Sequence, residues 1–165
     1  MTDRLDLAPL YALQRELDEE IAKNHGVSYE TTFSRRLLAL LVELGEFANE
    51  TRCFKYWSYK PSSPKERVLD EYADGLHFLL SLGIPLGEEN LTYAPPASAP
   101  DLTAAILLAY ETALALKESY DKPHYERALF AYLDIIPLLG VSCEEVEAAY
   151  LQKMALNHKR QDDRY

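Results

Sequence analysis

The stretch 43-ELGEFANETRCFKYWSYKPSSPKERVLDEYAD-74 decides the fold. It contains two acidic pairs, Glu43-x-x-Glu46 and Glu71-x-x-Asp74, and each pair lies in an apolar segment with helical spacing. Residues three apart face the same way on a helix, so each pair presents two carboxylates from one helix face. Two such helices packed antiparallel would bring four carboxylates together, and such a cluster suits a hard divalent cation such as Mg²⁺. The spacing predicts a helical fold around a magnesium site.

Length and composition agree with this prediction. The 165 residues are expected to form one domain, residues 1–165, that buries a sizeable core. A hydrophobic fraction of 48% and only 6 glycines suit a helical protein. The formal net charge of −10 argues against a nucleic-acid partner bound through a basic surface. A phosphorylated small molecule would need a metal or a local cationic cluster to bind here.

Targeting and redox signals favour a cytoplasmic protein. Cys53 and Cys143 form no C-x-x-C or zinc-binding pattern, so we interpret them as reduced thiols. The first residues lack the basic, apolar and small-residue order of a signal peptide. No apolar run reaches the length of a membrane span, so no membrane partner is expected.

Apolar residues at helical spacing predict about six helices, which makes the chain an all-α helical bundle with a four-helix core around the metal. The region 83–100 contains four prolines and is predicted to be a loop. The expected helices are, in chain order, residues 7–24, 29–54, 64–82, a helix beginning at 101, 122–139 and a helix beginning at 142.

Local signals predict where some of these helices begin and end. Gly26 follows the first helix and suits a left-handed cap. Ser63 with Glu66 has the spacing of a capping box for the third helix, and Ser142 with Glu145 has it for the last.

The second helix carries an acidic stripe formed by Glu43, Glu46 and Glu50. A solvated charged face is one interpretation. However, no Lys or Arg follows at i+4 to neutralise the three carboxylates, and the rest of the helix is nearly all apolar. Carboxylates on a largely buried helix need a partner or a metal, so the stripe favours a metal site.

Two residues after the second acidic pair are candidate ligand contacts. Phe78 breaks the pattern of its helix by lying on the polar side, which suits either a packing contact or a platform for a flat ligand. His77, three residues after Asp74, suits a ligand, a contact to a base or a capped surface histidine.

The last helix places hydroxyl, amide and cationic groups within one arc of about 100°. An ordinary exposed face is one interpretation, and a phosphate clamp is the other, because Lys and Arg donate well to phosphate oxygens. The chain has no glycine-rich phosphate loop, so side chains and a metal would have to hold any phosphate. The arc contains Tyr150, Lys153, Asn157, Arg160 and Gln161.

These patterns resemble a known family. The two acidic pairs, with 24 residues between them, are similar to those of the all-α nucleoside triphosphate pyrophosphatases, which include MazG-like proteins and dimeric dUTPases. The flanking sequences look like the dimeric dUTPase branch, and the resemblance covers nearly the whole chain. They are LYALQRELDEEI (10–21), LLVELGEFANETRCFKYWS (40–58), VLDEYADGLHFLLSLG (68–83) and AAYLQKMALNHKRQ (148–161).

The resemblance implies that Glu43, Glu46, Glu71 and Asp74 bind Mg²⁺ ions that bridge the phosphate chain. It also implies that Glu46 is the catalytic carboxylate, which orients or deprotonates the attacking water. Phosphate-binding roles are implied for Lys55, Lys153 and Arg160, with support from Tyr150 and Asn157.

At the base end, the resemblance implies that Gln14 contacts the uracil edge and that His77 and Phe78 line the base and deoxyribose pocket. Phe78 would exclude a 2′-hydroxyl, and Trp57 would close over the base. The family tends to place an Asn where this chain has Asp18, and a carboxylate cannot donate to a uracil carbonyl.

The implied function is Mg²⁺-dependent hydrolysis of dUTP to dUMP and pyrophosphate, with dUDP also accepted, by a homodimer whose site lies partly at the dimer interface. The nearest alternative is a MazG-like or dCTP-type pyrophosphatase with another base specificity. A di-iron bundle would need Glu-x-x-His twice, whereas the chain contains no Glu-x-x-His and offers Asp74-x-x-His77 beside the acidic pairs. A non-catalytic helical interaction module is the third alternative.

Overall fold

The computed structural model describes residues 3–165, and within them helices dominate, which confirms the all-α prediction. Short 3₁₀ turns at Ile84–Leu86, Ala115–Lys117 and Ile136–Leu139 follow three of the helices. The α-helices are α1 (Ala8–His25), α2 (Tyr29–Thr51), α3 (Lys65–Gly83), α4 (Leu102–Leu114), α5 (Lys122–Leu133) and α6 (Cys143–Asp162). Two short strands, β1 (Leu5–Asp6) and β2 (Thr92–Tyr93), pair antiparallel with Leu5 opposite Tyr93.

Helix α3 is the central element, and it contacts α1, α2, α5 and α6. Its Tyr72 hydroxyl donates to the Tyr132 carbonyl at 2.9 Å, and the Tyr132 hydroxyl donates back to the Tyr72 carbonyl at 2.6 Å. Gly75 makes this contact possible, because a Cβ there would lie 2.2 Å from the Tyr132 hydroxyl oxygen. The exchange fixes α5 against α3 and leaves the other sides of α3 to α1, α2 and α6.

Two predicted helix ends are confirmed. Gly26 caps α1 in the left-handed conformation with φ 62°. Ser142 and Glu145 form the capping box of α6, in which the Ser142 hydroxyl accepts from the Glu145 amide and the Glu145 carboxylate accepts from the Ser142 amide.

The predicted capping box of α3 is wrong. Helix α3 begins at Lys65, with Pro64 at the N-cap and no side-chain cap. The Ser63 hydroxyl instead donates to the Glu50 carboxylate on α2. This contact ties the end of the connection to α2, so Ser63 serves the packing of the two helices rather than the end of one.

Other boundaries also differ from the predictions. Helix α2 ends at Thr51 rather than near residue 54, because Arg52 takes a left-handed conformation with φ 59°. Helix α5 ends at Leu133 rather than 139, since Pro137 has no amide hydrogen to donate to the Leu133 carbonyl. The region 83–100, predicted to be a loop, contains a 3₁₀ turn and strand β2.

The arrangement places the acidic pairs on adjacent helices. Helices α2 and α3 pack along each other, while α1 and α6 contact each other and α3. These four helices therefore surround the region in which the predicted site residues lie. No helix in residues 3–165 combines the length and apolar character needed to cross a lipid bilayer.

Candidate active site

The structure brings the two acidic pairs together. Carboxylate oxygens of Glu43, Glu46 and Glu71 lie within 4.8 Å of one another. Oxygens of Asp70, Glu71 and Asp74 form a second group within the same distance, so Glu71 belongs to both. The convergence follows from i, i+3 spacing on two helices that pack side by side. We call these five residues the carboxylate cluster.

Burial among like charges makes the carboxylate cluster costly without a cation. One Glu43 oxygen, Oε2, is buried and has no hydrogen-bond partner among residues 3–165. Burial, with added repulsion from Asp74, raises the pKa of Glu43. Burial and the charges of Asp74 and Glu46 raise the pKa of Glu71 to about 7. The donors are all oxygens, the ligand type that Mg²⁺ prefers, so the residues present fit such an ion.

Glu50 lies outside the carboxylate cluster although it completes the acidic stripe of α2. It accepts from the Ser63 hydroxyl and from Arg67 Nη2, the latter at 3.1 Å. The hydrogen bond from Ser63, followed by the charge of Arg67, lowers the pKa of Glu50. The stripe thus divides into two carboxylates that belong to the carboxylate cluster and a third that pairs with Ser63 and Arg67.

Lys153 contacts this cluster from α6. Its Nζ lies 2.8 Å from Asp70 Oδ1 and 3.2 Å from Asp74 Oδ1, and its side chain is only 6% exposed. Burial alone would lower the pKa of Lys153, but the contacts with Asp70 and Asp74 outweigh it and the pKa is raised. The face of α6 that carries Lys153 is therefore not an ordinary exposed face. Asp70 was not among the predicted site residues, because nothing local to α3 indicates a partner on α6.

A cavity of about 520 Å³ opens between α1, α3, α6 and the first turns of α2, and its described lining does not include the carboxylate cluster. Five of the predicted substrate-binding residues line this cavity: Gln14, His77, Phe78, Asn157 and Arg160. Tyr29, Arg36 and Ser81 also line it and were not predicted. Phe78 contributes an aromatic face, and Arg160 contributes a cation at the α6 side.

A hydrogen-bond chain holds Gln14. Its Oε1 accepts from the Tyr150 hydroxyl at 2.8 Å and lies 2.6 Å from His77 Nδ1. Its Nε2 donates to Asp18 Oδ1 at 2.9 Å. The His77 ring also stacks on the Tyr150 ring, with centroids 4.1 Å apart. The orientation of the Gln14 amide is therefore fixed from three sides.

His77 is neutral in this environment. Burial lowers its pKa to about 3. A neutral ring that donates from Nδ1 to Gln14 leaves Nε2 as an acceptor. His77 Nε2 is buried and has no hydrogen-bond partner in the described part of the chain. His77 thus has one ring nitrogen used for positioning and one still able to accept.

Asp18 is satisfied by one donor from its own helix, α1, and by donors from α2 and α3. Its oxygens accept from Gln14, from the Tyr29 hydroxyl at 3.0 Å and from the Ser81 hydroxyl at 2.8 Å. Burial raises the pKa of Asp18 even with these hydrogen bonds. The three neighbouring groups all donate hydrogen bonds, which explains why position 18 holds a carboxylate acceptor.

Trp57 and Lys55 lie apart from the cavity, on the connection between α2 and α3. The Trp57 side chain is 63% exposed, and it packs edge-on against Tyr56 and Phe54 with centroids 5.1 and 6.0 Å apart. Lys55 Nζ lies 5.7 Å from the Phe54 ring centroid. The connection therefore presents an exposed aromatic and cationic surface.

The helical fold and the paired acidic motifs define the class: this is an all-α nucleoside triphosphate pyrophosphatase. The family model for dUTPase matches residues 6–165, nearly the whole chain, and the chain belongs to that family. It is therefore an enzyme that hydrolyses dUTP, and a nucleotide is its substrate. No curated protein matches the chain. The family match confirms the resemblance seen in the sequence and sets aside a non-catalytic module.

Proposed function

We propose that the enzyme is Mg²⁺-dependent and converts dUTP and water to dUMP and pyrophosphate, and dUDP to dUMP and phosphate. The observation that carries this proposal is the convergence of Glu43, Glu46, Glu71 and Asp74 in two oxygen groups on the packed helices α2 and α3. These four carboxylates would hold Mg²⁺. When bound there, the metal supplies charge neutralisation for the phosphates and a water with a lowered pKa.

Glu46 is proposed to orient the attacking water and accept its proton. It is the exposed member of its oxygen group, whereas Glu43 and Glu71 are half-buried. An exposed carboxylate is open to a solvent water, and half-buried carboxylates are better placed to hold an ion. Hydrogen-bond reach to the water is what this role requires.

The cavity is proposed to bind the base and deoxyribose. His77 Nε2 offers an acceptor, and the uracil N3–H is a donor that could pair with it. Gln14, fixed by Tyr150 and Asp18, is proposed to read the uracil edge. Phe78 is proposed to fill the space beside C2′, so that a ribose hydroxyl would clash there.

The polar face of α6 is proposed to contact the phosphates. Asn157 and Arg160 line the cavity, with Arg160 Nη1 at 3.5 Å from Asn157 Oδ1. Lys153 and Tyr150 lie one and two turns before them on α6. Trp57 and Lys55 are proposed to reach the nucleotide when the exposed connection closes over it.

A homodimer is also proposed, formed through exposed apolar side chains on two contacting helices. Leu38 and Val42 on α2 are 62% and 50% exposed, and Leu107 and Leu114 on α4 are 64% and 54% exposed. Adjacent apolar side chains of this size commonly mark an interaction surface. Free Cys53 and Cys143 suit a cytoplasmic location, which we propose as well.

Light scattering would test the dimer. Leu107→Glu is expected to give a monomer by placing a charge in the interface. The matched control is Leu151→Glu, because Leu151 is a 42% exposed leucine on α6. A wild-type mass equal to one chain would contradict the dimer.

The substrate and metal proposals share one experiment. Pyrophosphate or phosphate release would be measured from dUTP, dUDP, UTP, dCTP and dTTP, each with Mg²⁺ and with EDTA. Turnover of dUTP and dUDP that requires Mg²⁺ is the expected result. Turnover in EDTA would contradict the metal proposal, and equal turnover of UTP or dCTP would contradict the base and sugar assignments.

A further inference from the structure

Lys153 is shared between two acids on α3. Its ammonium lies between Asp70 Oδ1 at 2.8 Å and Asp74 Oδ1 at 3.2 Å. Asp74 is one of the proposed metal ligands, whereas Asp70 has no role in the proposed function. Lys153 is 6% exposed, while the Asp70 side chain is 56% exposed. A buried cation thus pairs with both a proposed metal ligand and an acid at the edge of the site.

The two oxygen groups put Lys153 in competition with a metal ion. A divalent cation held by Glu71 and Asp74 would draw on the same Asp74 carboxylate that Lys153 contacts at Oδ1. A buried ammonium group without a carboxylate partner strongly destabilises the folded protein. Within residues 3–165, Asp70 is the remaining carboxylate in salt-bridge contact with Lys153. Asp70 therefore offers the ammonium a partner that does not have to be released.

We propose that Lys153 is an internal cation that competes with the divalent ion for Asp74. Asp70 is then a positioning residue: it keeps Lys153 beside the phosphate site when the divalent ion binds Asp74. This inference rests on the proposed function, because it takes Asp74 as a metal ligand. It assigns Asp70 an effect on metal binding that operates through Lys153 rather than by coordination.

Two other roles are conceivable for Asp70, and each predicts a different effect of mutation on metal affinity: Asp70 could coordinate the metal directly, or its ion pair with Lys153 could be purely structural. If Asp70 itself coordinates the ion, its removal should weaken metal binding whether or not Lys153 is present. If the ion pairs only fasten α6 to α3, their removal should lower the unfolding free energy and leave metal affinity unchanged. A double-mutant cycle separates these cases, because a coupling between two residues disappears when one is absent.

The experiment is a calorimetric titration of the full chain with Mn²⁺ in the absence of nucleotide. The variants are Asp70→Asn, Lys153→Met and the double variant, with Lys153→Gln as a second replacement should Met impair folding. Glu66→Gln is the matched control, since Glu66 is an exposed acid in the first turn of the same helix. Unfolding curves on each protein show that it is folded.

The expected result is a non-additive cycle. Lys153→Met should raise Mn²⁺ affinity about tenfold by removing the competitor, and Asp70→Asn should lower it about tenfold in the presence of Lys153. Asp70→Asn should have no effect in the Lys153→Met background. Asp70→Glu should restore wild-type affinity, and Glu66→Gln should match the wild type.

Two results would overturn the inference, and a third concerns the proposed function instead. An equal loss from Asp70→Asn in both backgrounds would make Asp70 a direct ligand. Unchanged Mn²⁺ affinity in all variants, with lower unfolding free energies, would make the ion pairs structural only. If the wild type itself binds no Mn²⁺, the metal proposal fails, and the inference that rests on it fails with it.

Discussion

His77 Nδ1 lies 2.6 Å from Gln14 Oε1, and this contact joins α3 to α1 beside the cavity. The same oxygen accepts from the Tyr150 hydroxyl, so α6 is tied to the same point. Three helices thus meet at one amide, and a neutral imidazole is required there because a protonated ring would be a buried charge.

The pH dependence of stability should reveal this neutral imidazole. The folded pKa of His77 is about 3, below the ordinary 6.5, so the unfolded chain takes up a proton first as pH falls. Its stabilising contribution is therefore present above about pH 6.5 and is lost as pH falls toward 3. Between pH 7 and pH 5 the wild type should lose about 2 kcal/mol relative to His77→Asn.

Urea unfolding of both proteins at the two pH values measures this difference. The variant serves as the reference, since all other titrating groups are shared. A gap between the two proteins that does not change with pH would mean that His77 has the same pKa in the folded and unfolded states.

Glu43 should show the opposite pH dependence. Burial and the charge of Asp74 raise its pKa, so the folded protein binds the extra proton and stability is lost as pH rises through the raised value. Without metal, Glu43→Gln should therefore be more stable than the wild type at about pH 8, by on the order of 1 kcal/mol after solvent screening, and less so at pH 5.

With Mg²⁺ added, the wild type should become more stable than Glu43→Gln, because an ion that binds only the folded state stabilises it. Thermal unfolding at pH 8, with Mg²⁺ and with EDTA, measures both effects. Equal gains from Mg²⁺ in the wild type and in Glu43→Gln would show that Glu43 is not a ligand.

Phe78 should control sugar selectivity. Removing its ring leaves space beside the deoxyribose, so Phe78→Leu should lower the ratio of kcat/KM for dUTP over UTP by about tenfold. Phe33→Leu is the matched control, because Phe33 packs on Tyr120 and does not line the cavity. A ratio unchanged in Phe78→Leu would remove Phe78 from the sugar pocket.

Gly75 should be intolerant of a side chain. A Cβ there would lie 2.2 Å from the Tyr132 hydroxyl oxygen, which already donates to the Tyr72 carbonyl. Gly75→Ala should therefore cost about 3 kcal/mol of unfolding free energy, from overpacking and a weakened hydrogen bond.

Gly26→Ala is the comparison for Gly75→Ala. Gly26 has a φ of 62° but no atom within 4 Å of its added Cβ, so strain alone should cost about 1 kcal/mol. Equilibrium unfolding in urea gives both values. Similar costs at the two positions would contradict the close contact at Gly75.

The sequence predicted the parts of this molecule that depend on local spacing. The i, i+3 acidic pairs converge because two helices pack side by side, and the Ser142–Glu145 box forms because its partners are three residues apart. Ser63 also had capping spacing, but a carboxylate 13 residues earlier accepts its hydroxyl instead. A contact between helices overrode the local signal.

The remaining site features depend on contacts that spacing does not encode. The pairing of Lys153 with Asp70 and Asp74 joins α6 to α3. Two of the three donors to Asp18 come from α2 and α3, so most of its environment could not be inferred from its own helix. The positions of Trp57 and Lys55 remain predictions about a nucleotide-bound arrangement.

The central claim, that carboxylates on α2 and α3 form a magnesium-dependent catalytic site, is tested most directly by comparing Glu46→Gln with Glu50→Gln. Both remove one charge from the same face of α2, but Glu46 lies in the carboxylate cluster and Glu50 pairs with Arg67 and Ser63. With dUTP and Mg²⁺, kcat should fall at least about a hundredfold in Glu46→Gln and stay near wild type in Glu50→Gln. Equal kcat values in the two variants would contradict the claim.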